Sequence, residues 1–189
     1  MTGLFNRIAH RYDGIVGSFD LDEILKHLPL NEKTLFLDLG GGTGRVSYHL
    51  LSLVNECMIA DLSFEMLEQA KKKTTEFMLL QANADNLPIK SNSIETIFLN
   101  DSLHHIRNQK ETIAECYRIL EKGGALYIRE FNRKYFWNIF LILGEALLCF
   151  KSKFYSPKEL QKACEDVGFE VSIITCRKGT FLMKASKIH

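Results

Sequence analysis

The 189-residue chain contains no C-x-x-C pair, no internal repeat and no low-complexity linker. Its five cysteines (Cys57, Cys116, Cys149, Cys164 and Cys176) are odd in number and scattered, mostly within apolar runs. That pattern argues against a zinc cluster or a disulfide framework and for buried free thiols in a reducing cytosol. No metal site is expected. Charge of either sign is not in excess: a net +1 offers no global basic field for nucleic acid. Arg7, His10, Arg11 and Asp13 interrupt any apolar core near the start, so the N-terminus does not read as a signal peptide. The segment that is apolar nearly all round, 135–150, is shorter than the roughly 20 residues a membrane-spanning helix needs. With 46% hydrophobic and 25% charged residues, a single-domain cytoplasmic protein with a sizeable core is expected.

What the chain does have is glycine in one place. Leu35, Phe36, Leu37 and Leu39 read as the end of a buried strand, and then four glycines occupy five positions, 40–44. Arg45–Leu51 opens a helical pattern. A turn that packs against a ligand needs positive φ and close approach of backbone N–H groups, both of which glycine allows. An ordinary strand-to-helix turn would need only one or two glycines. The dinucleotide fingerprint G-x-G-x-x-G fails, because its third glycine would fall on Arg45. The pattern that fits is D-x-G-x-G-x-G: Asp38, Gly40, Gly42 and Gly44. A carboxylate two residues before the turn would repel a diphosphate and favour a ligand bearing an ammonium or sulfonium group. The residues thus favour a cationic nucleoside cofactor over a dinucleotide. The stretch resembles the glycine-rich motif of the class I S-adenosylmethionine-dependent methyltransferases.

The rest of the chain alternates. Helical spacing is read over Gly3–Val16 and Asp20–His27, the latter stopped by Pro29; the two form a helical cap (residues 1–30) that precedes the β/α core. Strands are expected at Thr34–Leu39, Cys57–Ala60, Phe77–Gln81, Thr96–Asn100 and Ala125–Phe131. Helices are expected at Thr43–Val54, from a Ser63 N-cap to Lys73, and at Asn108–Leu120, ending at the Lys122-Gly123-Gly124 turn. A last helix starts at Ser156-Pro157 and runs to Val167, and strands at Phe169–Cys176 and Thr180–Ser186 close the chain. This order predicts a doubly wound α/β, Rossmann-like sheet of about seven strands. The resemblance adds that the last strand is antiparallel and that an inserted apolar helix lies after strand five (132–155). For 135–150 three roles stay open: a lid or acceptor wall, a membrane-facing or self-associating helix, or a buried core helix.

The start, Phe5-Asn6-Arg7-Ile8-Ala9-His10-Arg11-Tyr12-Asp13, is similar to that of the ubiquinone/menaquinone-type methyltransferases, which implies that Tyr12 helps close the cofactor site. Asp61, at the end of strand two and 17 residues after Gly44, can accept both hydroxyls of a ribose, with Leu62 beside it. A helix N-terminal carboxylate is the simpler alternative. Ala84-Asp85-Asn86-Leu87-Pro88 resembles the family's segment after strand three, which implies Asp85 on the adenine amino group and Ala84 and Asn86 along the ring. Those residues are also turn formers. Asn100, at the end of strand four, would face the methionine half through its backbone. In Asn100-Asp101-Ser102-Leu103-His104-His105, either histidine is a candidate general base or a hydrogen-bonded structural residue. The N/D-P-P-Y/F signature of nucleobase methyltransferases is absent there, so a nucleic-acid target is not expected. The resemblance implies S-adenosyl-L-methionine as cofactor and a small, apolar methyl acceptor. A non-catalytic cofactor-binding domain and a nucleotide-dependent oxidoreductase are the rival readings.

Overall fold

The computed structural model describes residues 2–15, 21–132, 154–177 and 179–189. Seven strands, β1 (Leu35–Leu39), β2 (Glu56–Asp61), β3 (Phe77–Gln81), β4 (Ile94–Asn100), β5 (Leu120–Phe131), β6 (Glu170–Arg177) and β7 (Thr180–Ser186), form one sheet in the order β3-β2-β1-β4-β5-β7-β6. The first five are parallel, and β7 is antiparallel to both its neighbours. The expected doubly wound sheet with an antiparallel last strand is therefore present.

The strands are apolar on both faces because helices cover both. Side chains alternate along a strand, so β1 sends Leu37 and Leu39 to one side and Phe36 to the other. Leu37, Leu39, Ile97, Leu99 and Ile128 join Ile113 and Cys116 of α5 (Gln109–Ile119) and Leu160 of α6 (Pro157–Glu165). Phe36, Ile59, Phe98 and Tyr127 join Ile24 of α3 (Leu21–Leu25) and Leu67 and Ala70 of α4 (Phe64–Lys73). Ser63 caps α4 as expected, its hydroxyl accepting from the Met66 amide at 3.2 Å. Ser156 and Glu159 form a reciprocal capping box on α6. Cys57, Cys116 and Cys164 are buried free thiols, and burial pushes Cys57 and Cys164 up to about 12.

Four elements differ most from the sequence expectation. The helix expected over Thr43–Val54 is a turn followed by two short 3-10 segments, Ser47–His49 and Leu51–Leu53. Val46, Ser47, Tyr48 and His49 are middling helix formers, and the Ser47 hydroxyl is engaged elsewhere. The first helical segment is broken into α1 (Thr2–Ile8), a 3-10 turn (Ala9–Arg11) and α2 (Tyr12–Ile15), while α3 is shorter than its expected span. β5 begins at Leu120, because Leu120 already pairs with Ile94 ahead of a register irregularity. Val16, Asp20 and the apolar segment 135–150 lie outside the described residues.

Candidate cofactor and methyl-transfer site

The carboxyl ends of β3, β2, β1 and β4 lie side by side, about 4.8 Å apart from strand to strand. Over these ends sits a cavity of about 470 Å³. Taken across the sheet, its wall carries Asp85 after β3, Asp61 at the end of β2, Gly40 and Gly42 after β1, and Asn100 and Asp101 at the end of β4. This is the edge where open α/β sheets bind ligands.

Asp61 is tied into the turn. Its Oδ2 accepts from the Gly42 amide at 3.0 Å and its Oδ1 from the Ser63 amide at 2.8 Å. Burial pushes its carboxyl above the ordinary range, while these backbone N–H donors pull it down. Each carboxylate oxygen has a second lone pair, which leaves capacity for hydroxyl donors. Leu62 and Ala84 also line the cavity. Asp85 Oδ2 accepts from Asn108 Nδ2 at 2.5 Å, which fixes its orientation on the wall.

Four of the residues expected at the site are not on the cavity wall. Asp38 is buried beneath Gly41, where any Cβ would overlap the Asp38 carboxyl. It points to the α4 side because it lies two residues from Phe36 on the same strand face. Its Oδ2 accepts from Ser47 Oγ at 2.5 Å, and burial pushes it up to about 6. Gly44, with φ +67°, serves packing: a Cβ there would lie 2.7 Å from Ile59 Cδ1 and 2.9 Å from Phe77 Cε2. Asn86 closes a turn, its amide donating to the Asn83 carbonyl at 3.1 Å. His104 is buried, its Nδ1 2.6 Å from Glu130 Oε2 and its ring stacked on Phe154. Of its two open readings, the structural one is what this arrangement supports.

His105 does line the cavity, and Phe5 meets it edge-on at 5.0 Å between ring centroids. Tyr12 lines the wall as well, its hydroxyl pushed up mainly by burial. Phe5 on α1 and Tyr12 on α2 both reach the cavity from the broken N-terminal helix. It is pinned at three points: Ser63 Oγ donates to Asn6 Oδ1 at 2.8 Å, Thr43 Oγ1 to Asp13 Oδ1 at 2.5 Å, and Lys73 pairs with Asp13 at 2.5 Å.

Sequence reasoning overlooked Asp101. It lines the cavity at φ +50°, an uncommon conformation for a non-glycine residue. Its amide donates to the Arg129 carbonyl at 2.8 Å, its Oδ2 accepts from Arg129 Nη1 at 2.5 Å, and its Oδ1 is buried with no partner among the described residues. The signal was its place at a strand's carboxyl end, the same argument that singled out Asn100. Among the described residues, the charged groups on the wall are three carboxylates (Asp61, Asp85 and Asp101) against one guanidinium, Arg107.

Residues 37–128 match the family model described as "Methyltransferase domain". The chain is 28% identical, over 149 aligned residues, to the ubiquinone/menaquinone biosynthesis C-methyltransferase UbiE of Francisella tularensis subsp. novicida, an alignment covering 70% of this chain and 60% of that protein. Its fold superposes on the Haloferax volcanii methyltransferase solved with the Trm112 methyltransferase activator, with a TM-score of 0.82, 21% identity and coverage of 98% and 96% of the two chains. A SAM-dependent methyltransferase from Thermotoga maritima matches at a TM-score of 0.79 and 21% identity, covering 98% and 99%.

The matched residues run from β1 into β5 and include the glycine turn, and the fold is that of the solved SAM-dependent methyltransferase from Thermotoga maritima. In sequence the chain is similar to the UbiE type, and it spans 60% of the length of the curated UbiE relative.

Proposed function

We propose that this chain is an S-adenosylmethionine-dependent methyltransferase acting on a small, apolar acceptor. The observation that carries the reading is the row of carboxylates beyond the ends of β3, β2 and β4, Asp85, Asp61 and Asp101, on either side of the β1 turn of Gly40 and Gly42. A wall so short of positive charge suits a cationic nucleoside and would repel a diphosphate. Asp85 would accept from the adenine amino group and Asp61 from the ribose hydroxyls. Ala84 and Leu62 would line the nucleoside, and the turn with the Asn100 backbone would seat the amino-acid half. Tyr12 and Phe5 would cover the site and exclude water. When bound, the cofactor supplies an electrophilic methyl on a good leaving group, so the protein's main task is alignment. Asp38 would act from behind, holding the turn through Ser47 and not by contact with the ligand.

The apolar acceptor is supported by Phe5 and Ile106 on the wall near His105 and by the likeness to UbiE, a quinone-pathway enzyme by its name. The test is transfer of labelled methyl from S-adenosylmethionine to a panel of phenols, hydroquinones and amines. Label recovered in an organic-extractable acceptor is expected. Label that stays on the donor across the panel, while S-adenosylhomocysteine binds, would favour a binding-only domain.

A further inference from the structure

We propose that Asp101 is the proton acceptor at the point of methyl transfer, and that the acceptor accordingly presents an N–H or O–H donor there. The inference rests on the methyltransferase reading above and deepens it. Three observations carry it. The first is placement: the carboxylates at the ends of β3 and β2 serve the nucleoside, β1 supplies the turn, and β4 follows next across the sheet. Asp101 is thus one strand beyond the turn, on the side away from Asp61, where the reacting end of an extended nucleoside cofactor would lie.

The second is an unmet hydrogen bond. Asp101 keeps 23% of its side-chain surface open, Arg129 holds Oδ2, and Oδ1 is buried without a partner among the described residues. A buried acceptor left unpaired is costly, so a donor that reaches the carboxylate from its open side would be favoured. The third is the backbone: φ of +50° at an aspartate is held by the Asp101 amide to the Arg129 carbonyl and by Ser102 Oγ to the Leu39 carbonyl at 3.0 Å. A strained residue fixed from both sides at a ligand cavity is a mark of function.

Burial pushes the Asp101 carboxyl up to about 6, with Arg129 opposing it, so it is poised near neutrality for proton transfer. The step balances. The acceptor's X–H bond breaks and its electron pair forms the new bond to the methyl carbon. The carbon–sulfur pair stays on sulfur, and the proton goes to Asp101.

The test needs no knowledge of the acceptor. Sinefungin carries an amino group where S-adenosylmethionine carries its transferable methyl, whereas S-adenosylhomocysteine has nothing there. Calorimetry at pH 8 should show wild type binding sinefungin about tenfold or more tighter than S-adenosylhomocysteine, as a charge-assisted hydrogen bond implies. Asp101→Asn should bring the two within about threefold by weakening sinefungin alone. Lowering the pH of wild type to 5 should shrink the preference in the same way. The groups facing Asp101 are Arg129 and Glu130 on β5, His104 after β4 and Tyr12 on α2, and Glu130→Gln, which removes the neighbouring carboxyl, should leave the pH effect in place. Equal losses for both ligands in Asp101→Asn would place the residue at the amino-acid end and overturn the proposal, as would no change in the preference. Failure of wild type to bind S-adenosylhomocysteine at all would instead overturn the methyltransferase reading.

Discussion

Asp61 Oδ2 accepts the Gly42 amide across 3.0 Å, which joins the end of β2 to the glycine turn after β1. One carboxylate thereby shapes the turn and lines the cavity. Asp61→Ala should weaken S-adenosylhomocysteine binding by at least about 1 kcal/mol, the worth of one hydrogen bond to a charged group. Asp61→Asn, which keeps acceptor capacity on one oxygen, should lose less. Calorimetric titration of both variants checks this; unchanged affinity in Asp61→Ala would remove the residue from the site.

Asp38 sets a pH dependence. Its carboxyl stands at about 6 in the folded chain against 3.8 ordinarily, because burial outweighs the Ser47 hydrogen bond. Between roughly pH 4 and 6 the folded chain therefore holds a proton that the unfolded chain has released, and stability falls as pH rises through that window. Asp101 has the same direction and adds to the slope. Asp38→Asn keeps an acceptor for Ser47 and removes the buried charge. It should gain about 1–2 kcal/mol at pH 8, roughly 2–8 °C in midpoint, and nothing at pH 4. Thermal denaturation across that range decides it, and a variant no more stable than wild type at pH 8 contradicts it.

Lys187 separates stability from function. Its ammonium is buried at the far end of the sheet and donates to Asn92 Oδ1 at 2.7 Å and to the Tyr117 and Leu120 carbonyls at 2.7 and 2.8 Å. Lys187→Met strands these acceptors and should cost about 2–3 kcal/mol. Chemical denaturation would measure the loss, while S-adenosylhomocysteine affinity should stay within about twofold of wild type.

The N-terminal cap should respond mildly. The Lys73–Asp13 pair is partly exposed, with side chains 26% and 40% open, so by itself it is worth under about 1 kcal/mol. It nonetheless anchors the segment that carries Tyr12. Asp13→Asn should raise amide hydrogen exchange over residues 5–14 and weaken S-adenosylhomocysteine binding by roughly two- to fivefold. Unchanged exchange would show that the Asn6–Ser63 contact alone suffices.

Much of this was legible beforehand, and the gaps have physical causes. Strand cores such as Leu35–Leu39 and Phe77–Gln81 declare themselves by apolar runs bounded by turns, and the Ser63 and Ser156 caps by their chemistry. Asp61, at the end of such a strand, could be placed from topology alone. Asp38 could not, because whether a carboxylate faces a ligand or the underside of a turn depends on strand alternation and on where Ser47 lands. Gly44 likewise showed a ligand-turn pattern yet answers to Ile59 and Phe77, contacts made across the fold. His104 and His105 are adjacent, and only tertiary packing against Glu130 and Phe154 tells the buried one from the one on the wall.

The central claim is that the carboxylate-lined cavity takes a nucleoside bearing a positive charge. Calorimetric titration of the wild-type chain with S-adenosylmethionine, S-adenosylhomocysteine and NADH tests it most directly. Saturable one-to-one binding of the first two and none of the third is the predicted result. Binding of NADH in preference to either, or of neither sulfur nucleoside, would contradict it.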